Sequence, residues 1–332
     1  MHFRPFFRII CQYTKNKDGP KSMNAVQLRN TLLLVLTALV WGCAFVAQSV
    51  GAEHVGAFTF LACRSWLAGV TLLPVIALLR ARQRRPESAA ESPAPQSRRA
   101  LLTGGIACGC FLFLASSAQQ IGVASTTTAK AGFITAMYVI IVPILSLVLG
   151  RRVGKKIWLC VAMSVVGLYL LCIAGSLSLS RGDAMVLLCA LLFAGHIMTV
   201  DHFSPKMDGV QLSCIQFFTT AILATVCMLL FEHPTAAALQ SALLPILYAG
   251  ILSSGVGYTL QIVAQKGLNP TIASMAMSLE SVFSALAGWV ILGQGLTARE
   301  FSGCALMFAA IILAQLPDRK RSAAPSHDAA QP

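Results

Sequence analysis

Glu280 stands near the middle of "SMAMSLESVFSALAGWVILG", residues 274–293, where nearly everything else is apolar or small. Arg64 stands about eight residues inside another apolar run. These two side chains have the most capacity for chemistry. A charge at such depth costs roughly 2.5–3.5 kcal/mol on insertion scales, so such residues generally face a cavity and mark a substrate or proton pathway. A carboxyl removed from bulk water can exist protonated as well as charged near neutral pH, which makes Glu280 the proton-coupling candidate. The alternative for Glu280 is a structural carboxyl hydrogen-bonded to Ser278 or Ser281. A deep guanidinium meets an anion or an acidic partner. The alternatives for Arg64 are structural pairing and snorkelling to the surface.

Other side chains are weaker candidates. Trp41 lies mid-span rather than in an interfacial belt, and Gly42 beside it permits close helix approach, so both are expected at the cavity or in packing. Gln216 and Ser281 complete the expected lining. Gln48, Gln119, Gln120, Gln261 and Gln265 supply polar edges, mostly as interhelical bonds. Lys130, only a few positions into its span, is expected to snorkel. The 11 cysteines are scattered without a CxxC pair and read as small apolar packing residues. His196 and His202 have neither an HExxH frame nor a carboxylate cluster, so no metal site is expected. No Gly-rich phosphate loop or ATPase domain is present; no cofactor is expected, and any transport must draw on a gradient.

What positions these residues is a set of apolar blocks. The chain has 332 residues, 56% hydrophobic and 11% charged, where soluble domains carry about 25% charged residues. The apolar residues come in blocks of about 20, the length that crosses a bilayer core of roughly 30 Å. Lipid offers the backbone no hydrogen-bond partners, so such blocks must be helices; the alternation of barrel strands is absent. Ten spans are expected, at residues 30–50, 57–79, 101–120, 127–149, 157–175, 183–201, 211–231, 243–264, 272–292 and 300–316. The fold class is an all-α integral membrane protein.

An N-terminus on the cytoplasmic side places 21 of the 25 Lys and Arg on that side, as the positive-inside rule requires. Both termini are therefore expected in the cytoplasm of a cell whose inner membrane holds the chain. The net charge of +13 then faces anionic lipid headgroups rather than nucleic acid. The basic segment 1–29 reads as a cytoplasmic tail, with Met23 as an alternative start to Met1. "RQRRPESAAESPAPQSRR" and the segment 317–332 read as flexible.

The remaining chain repeats itself. "LVWGCAF" (39–45) is followed by Arg64 as "LLFAGHI" (191–197) is followed by Gln216, and "VIIVPILSLVLG" aligns with "VFSALAGWVILG". In that register Met137 stands opposite Glu280. Two five-helix repeats, residues 30–175 and 183–316, follow. An odd number of spans inverts the second, and inverted repeats hold their substrate site near the midplane, where they meet.

"WG" at 41–42, Arg64 and "LESVFSALAGWVILGQGLT" resemble the EamA-type permeases of the drug/metabolite transporter superfamily, over roughly residues 30–316. Ser281 departs from that pattern, which has Pro there, and Gln294 and Arg151 stand where it has Glu. The resemblance implies a ten-helix carrier of small metabolites. The expected function is secondary-active, alternating-access transport of an amino acid-like or drug-like solute, in the direction of export and with protons as the coupling ion. The competing readings are a membrane scaffold and an intramembrane enzyme, the latter resting on "SSG" at 253–255 near His196 or His202. The expected partners are the solute and membrane lipids, with the chain a monomer or a homodimer.

Overall fold

The computed structural model describes residues 22–83, 97–125, 128–172, 180–292 and 297–316. The expectations for the 1–21 leader, most of the Pro/Ala/Ser loop, Gln294 and the 317–332 tail lie outside these residues. Among the described residues every regular element is helical. Helices α1 (Ser22–Ala52), α2 (Ala57–Gln83) and α3 (Arg98–Val123) are long and unbroken. They are followed by α4 (Thr128–Thr135), α5 (Tyr138–Val148), α6 (Lys155–Cys172), α7 (Arg181–Phe203) and α8 (Gly209–Phe231). Two short helices, α9 (Ala236–Ser241) and α10 (Leu243–Leu247), lead into a π-helical stretch, Tyr248–Tyr258, and then α11 (Thr259–Gln265). Helices α12 (Pro270–Met277), α13 (Glu280–Leu292) and α14 (Ala298–Gln315) complete the chain.

Seven described segments are long and apolar enough to cross a bilayer, from Val26–Ala52 to Leu243–Gln265. At the other three expected positions the chain forms α6, the α12–α13 pair and α14. Side chains cap several helix starts. Ser180 and Asp183 form a reciprocal box at α7, Thr297 and Glu300 another at α14, and Asp208 accepts from Gln211 N at α8. Each satisfies amide groups that have no partner within the helix.

Two expected spans are not continuous helices, and one is not regular. Residues 127–149 divide at 136–137, and residues 272–292 divide at 278–279. Neither break unwinds. Met137 has φ −59, ψ −14 and Ser278 has φ −63, ψ −12, nearer to 3₁₀ than to α geometry. Three-residue bonds such as Met137 N to Ile134 O and Ser281 N to Ser278 O tighten both turns. Such tightening inside a helix often marks a hinge. In the eighth span, three glycines in "YAGILSSGVGY" accompany the change to π geometry.

The packing repeats when the halves are exchanged. α1 packs on α13 as α7 packs on α4 and α5; α3 packs on α8 as the π-helical stretch packs on α2. α3 meets α7 as α1 meets the π-helical stretch and α11, while α2–α8 and α6–α14 pair each helix with its own counterpart. This is the contact pattern of two repeats related by an approximate two-fold axis.

Candidate functional site

Where the halves meet, the bundle holds a small, partly open cavity of about 30 Å³. Its wall draws Trp41, Phe45 and Gln48 from α1, Arg64 from α2 and Gln119 from α3. Thr135 and Tyr138 flank the break between α4 and α5. Phe193 and Ile197 come from α7, Ser253 and Tyr258 from the π-helical stretch, Gln261 from α11, and Met277 and Glu280 from either side of the second break. Its lining combines apolar and aromatic side chains with a few convergent polar groups, the composition of a small-molecule site.

Glu280 opens α13 and is 4% exposed. Tyr138, the first residue of α5, donates its hydroxyl to Glu280 Oε1 at 2.9 Å. The partner of the carboxyl is thus a tyrosine from the other half, not the serines of the alternative reading: Ser278 Oγ donates to Met275 O and Ser281 Oγ to Gly132 O, at 2.8 Å each. The Ser281 bond ties the two interrupted spans together beside their breaks.

Arg64 is 3% exposed, which rules out snorkelling. Its Nη2 donates to Ser116 Oγ at 3.1 Å, and its Nε has no protein partner. No ion pair within 4.0 Å joins it to Glu280. Tyr258 is close enough to interact electrostatically with both. Its ring stands 4.6 Å from that of Trp41, whose Nε1 donates to Ser253 O at 3.2 Å. Gly257 makes room for that indole, because a Cβ there would lie 2.7 Å from Trp41 Nε1.

Gln48, Gln119 and Gln261, read in the sequence as polar edges, stand on the wall, and of the six residues expected to line the cavity it takes Trp41, Arg64 and Glu280. The other three stand one layer behind it. Gly42 packs against the other half, where a Cβ would lie 2.8 Å from Glu280 O and 2.6 Å from Phe283 Cβ. Gln216 Oε1 meets His196 Nε2 at 3.1 Å, and Ser281 makes its bond to Gly132. Tyr138 and Tyr258 carry no signal in the sequence, since a tyrosine in an apolar run is an ordinary packing residue. The one trace was the repeat itself: Tyr138 follows Met137, the residue opposite Glu280. Among the described residues no group of three or more His, Cys, Asp or Glu could hold a metal ion.

The model of the EamA-like transporter family matches residues 29–173 and again 180–316. The chain belongs to the EamA-like transporter family. A relative from Archaeoglobus fulgidus, named as an uncharacterized transporter, is 27% identical over 309 residues, covering 92% of this chain and 91% of its own. A crystal structure matches with a TM-score of 0.67 at 19% identity, covering 86% of this chain and 98% of that one. That likeness shows the fold alone. As a family member the chain is a multi-pass membrane transporter, and its two family matches coincide with the two packing repeats.

Proposed function

We propose that this transporter is a secondary-active carrier that exports a small polar metabolite by alternating access, with Glu280 as the site at which a proton is exchanged for solute. The observation supporting this reading is the cavity between the halves, which brings together a buried carboxyl and a buried guanidinium that do not pair. Glu280 takes a proton from one side, becomes neutral, and releases it to the other once the halves have rearranged around it. The 3₁₀ turns at 136–137 and 278–279 lie where such a rearrangement needs backbone freedom. Tyr138 serves both charge states, since its hydroxyl can donate to the carboxylate or accept from the carboxylic acid.

Purified protein in liposomes with an imposed pH gradient tests this. Glu280→Gln keeps the side chain's size but cannot titrate, so solute accumulation is expected to fall to background while solute–solute exchange continues. Normal accumulation by that variant would make the carboxyl structural and end the proton-coupled reading. Product formation without flux would favour an enzyme, and neither activity a scaffold.

A further inference from the structure

Arg64 is a buried charge whose partners are all neutral. The Ser116 hydroxyl accepts from Nη2 at 3.1 Å, Tyr258 lies nearby, and Nε has no partner. Glu280, the other charged group on the cavity wall, has Tyr138 as its hydrogen-bond partner and stands beyond ion-pair distance. A buried charge without compensation costs several kcal/mol, and a site-lining arginine meets that cost when an anion docks on it. The planar guanidinium suits a carboxylate, which it can grip through two parallel N–H groups.

The surroundings narrow the class of anion. Tyr258 is fixed by Trp41 on one side, at 4.6 Å, and by His196 and Phe217 with ring centroids at 6.1 and 5.6 Å. This holds its hydroxyl beside Arg64 and Ser116, so two neutral hydroxyls flank the guanidinium. Elsewhere on the wall, Gln48 Oε1 and Gln261 Oε1 are acceptors without partners. Among the described wall residues Arg64 is the one that carries a positive charge. Phe45, Phe193, Ile197 and Met277 supply apolar wall for an organic body, which a hydrated inorganic ion would not use.

We infer that Arg64, Ser116 and Tyr258 form a carboxylate-binding subsite, and that the solute is a small organic carboxylate rather than an uncharged or cationic compound. This rests on the cavity being where the carrier holds its solute. The test measures binding rather than flux, so the two readings can fail separately. Full-length protein in nanodiscs is titrated with sodium acetate, benzoate and glutamate, with acetamide and benzamide, with sodium chloride and phosphate, and with tetraphenylphosphonium. Thermal stability and tryptophan fluorescence are followed.

At least one carboxylate is expected to protect saturably, with its amide or an inorganic anion weaker by about 10-fold or more, the loss of one charge-assisted bond. Arg64→Gln should lose that protection, Arg64→Lys should keep part of it, and Ser116→Ala, which leaves the charge in place, should weaken it only a few-fold. The inference is overturned if an amide, chloride or phosphate protects as well as the carboxylate, if the cation alone protects, if no carboxylate protects, or if Arg64→Gln binds normally. Should Arg64→Gln fail to fold, Ser116→Ala and Arg64→Lys carry the test, and unchanged affinity in both overturns it. Carboxylate binding without flux in liposomes would sink the carrier reading and leave the subsite standing. Flux of a cation without carboxylate binding would do the reverse.

Discussion

The two halves share a backbone arrangement but not a chemistry. Gly109 of the third span presses on the carbonyl of Gln216, where a Cβ would lie 2.7 Å from the oxygen. Gly250 of the eighth span presses on the carbonyl of Arg64, where a Cβ would lie 3.1 Å from it. The same helix contact thus occurs twice, beneath a glutamine in one half and an arginine in the other. The interrupted spans show the same split: both tighten to a 3₁₀ turn, but Met137 stands in one where Glu280 stands opposite. Duplicated packing makes the cavity, and unduplicated side chains give it polarity. A symmetric cavity would hold two like charges facing each other; this one holds one of each sign.

The contrast breaks most readily at the glycines. Gly109→Ala places a methyl 2.5 Å from Thr219 Cβ and 2.7 Å from a backbone oxygen, neither of which can rotate away. Gly250→Ala meets Leu67 Cβ at 2.8 Å and the Arg64 carbonyl at 3.1 Å. Overpacking of this kind costs about 1–3 kcal/mol, and Gly109→Ala is expected at the upper end with Gly250→Ala below it. Thermal unfolding in detergent measures both. If the two substitutions have no effect, the glycines are not what brings the halves together.

Tyr138→Phe is a smaller cut aimed at the chemistry. It removes one hydroxyl and leaves the ring, so stability should fall by roughly 1 kcal/mol, the net worth of a hydrogen bond. Accumulation in a pH gradient should fall more than solute binding does, because the phenol touches Glu280 and Arg64 has other partners. An equal loss of binding and accumulation would mean that Tyr138 only shapes the cavity.

Much of this organisation was legible in the chain, for physical reasons specific to membranes. Lipid forces spans to be apolar, long and helical, so composition alone located the seven described segments that are long and apolar enough to cross a bilayer. It also makes a charge conspicuous, which is why Glu280 and Arg64 stood out and lie on one cavity. The breaks were not legible. Neither 136–137 nor 278–279 contains Gly or Pro, and Ser281 occupies the place where the family's pattern would have offered a proline as a cue. There the tightened turns belong to tertiary packing, including the Ser281–Gly132 bond beside them, rather than to local propensity. Tyr258 escaped notice for a related reason: its place depends on the π-helical stretch, whose geometry no residue spacing announces.

The last comparison is between the two ends of the bundle, each carrying a polar tie between the halves. At one end Glu232, just past α8, accepts from Phe58 N, Thr59 N and Thr59 Oγ1 at 2.9, 2.7 and 2.6 Å. It thereby caps α2 from outside that helix. Amides with no partner inside their own helix meet a carboxylate, and hydrogen bonds to a charged group are worth roughly 1.5–3 kcal/mol. At the other end Arg151 pairs with Asp201, with the arginine side chain 45% exposed. Exposed pairs contribute about 0–1 kcal/mol because water screens them and holding long side chains still costs entropy. Glu232→Gln should therefore lower thermal stability clearly, and Arg151→Ala should barely change it. The same ordering should appear in transport if opening at each end must break its tie: Glu232→Gln alters the rate and Arg151→Ala leaves it near wild type. If Arg151→Ala has the larger effect on both, then the exposed pair, rather than the helix cap, is the stronger link between the halves.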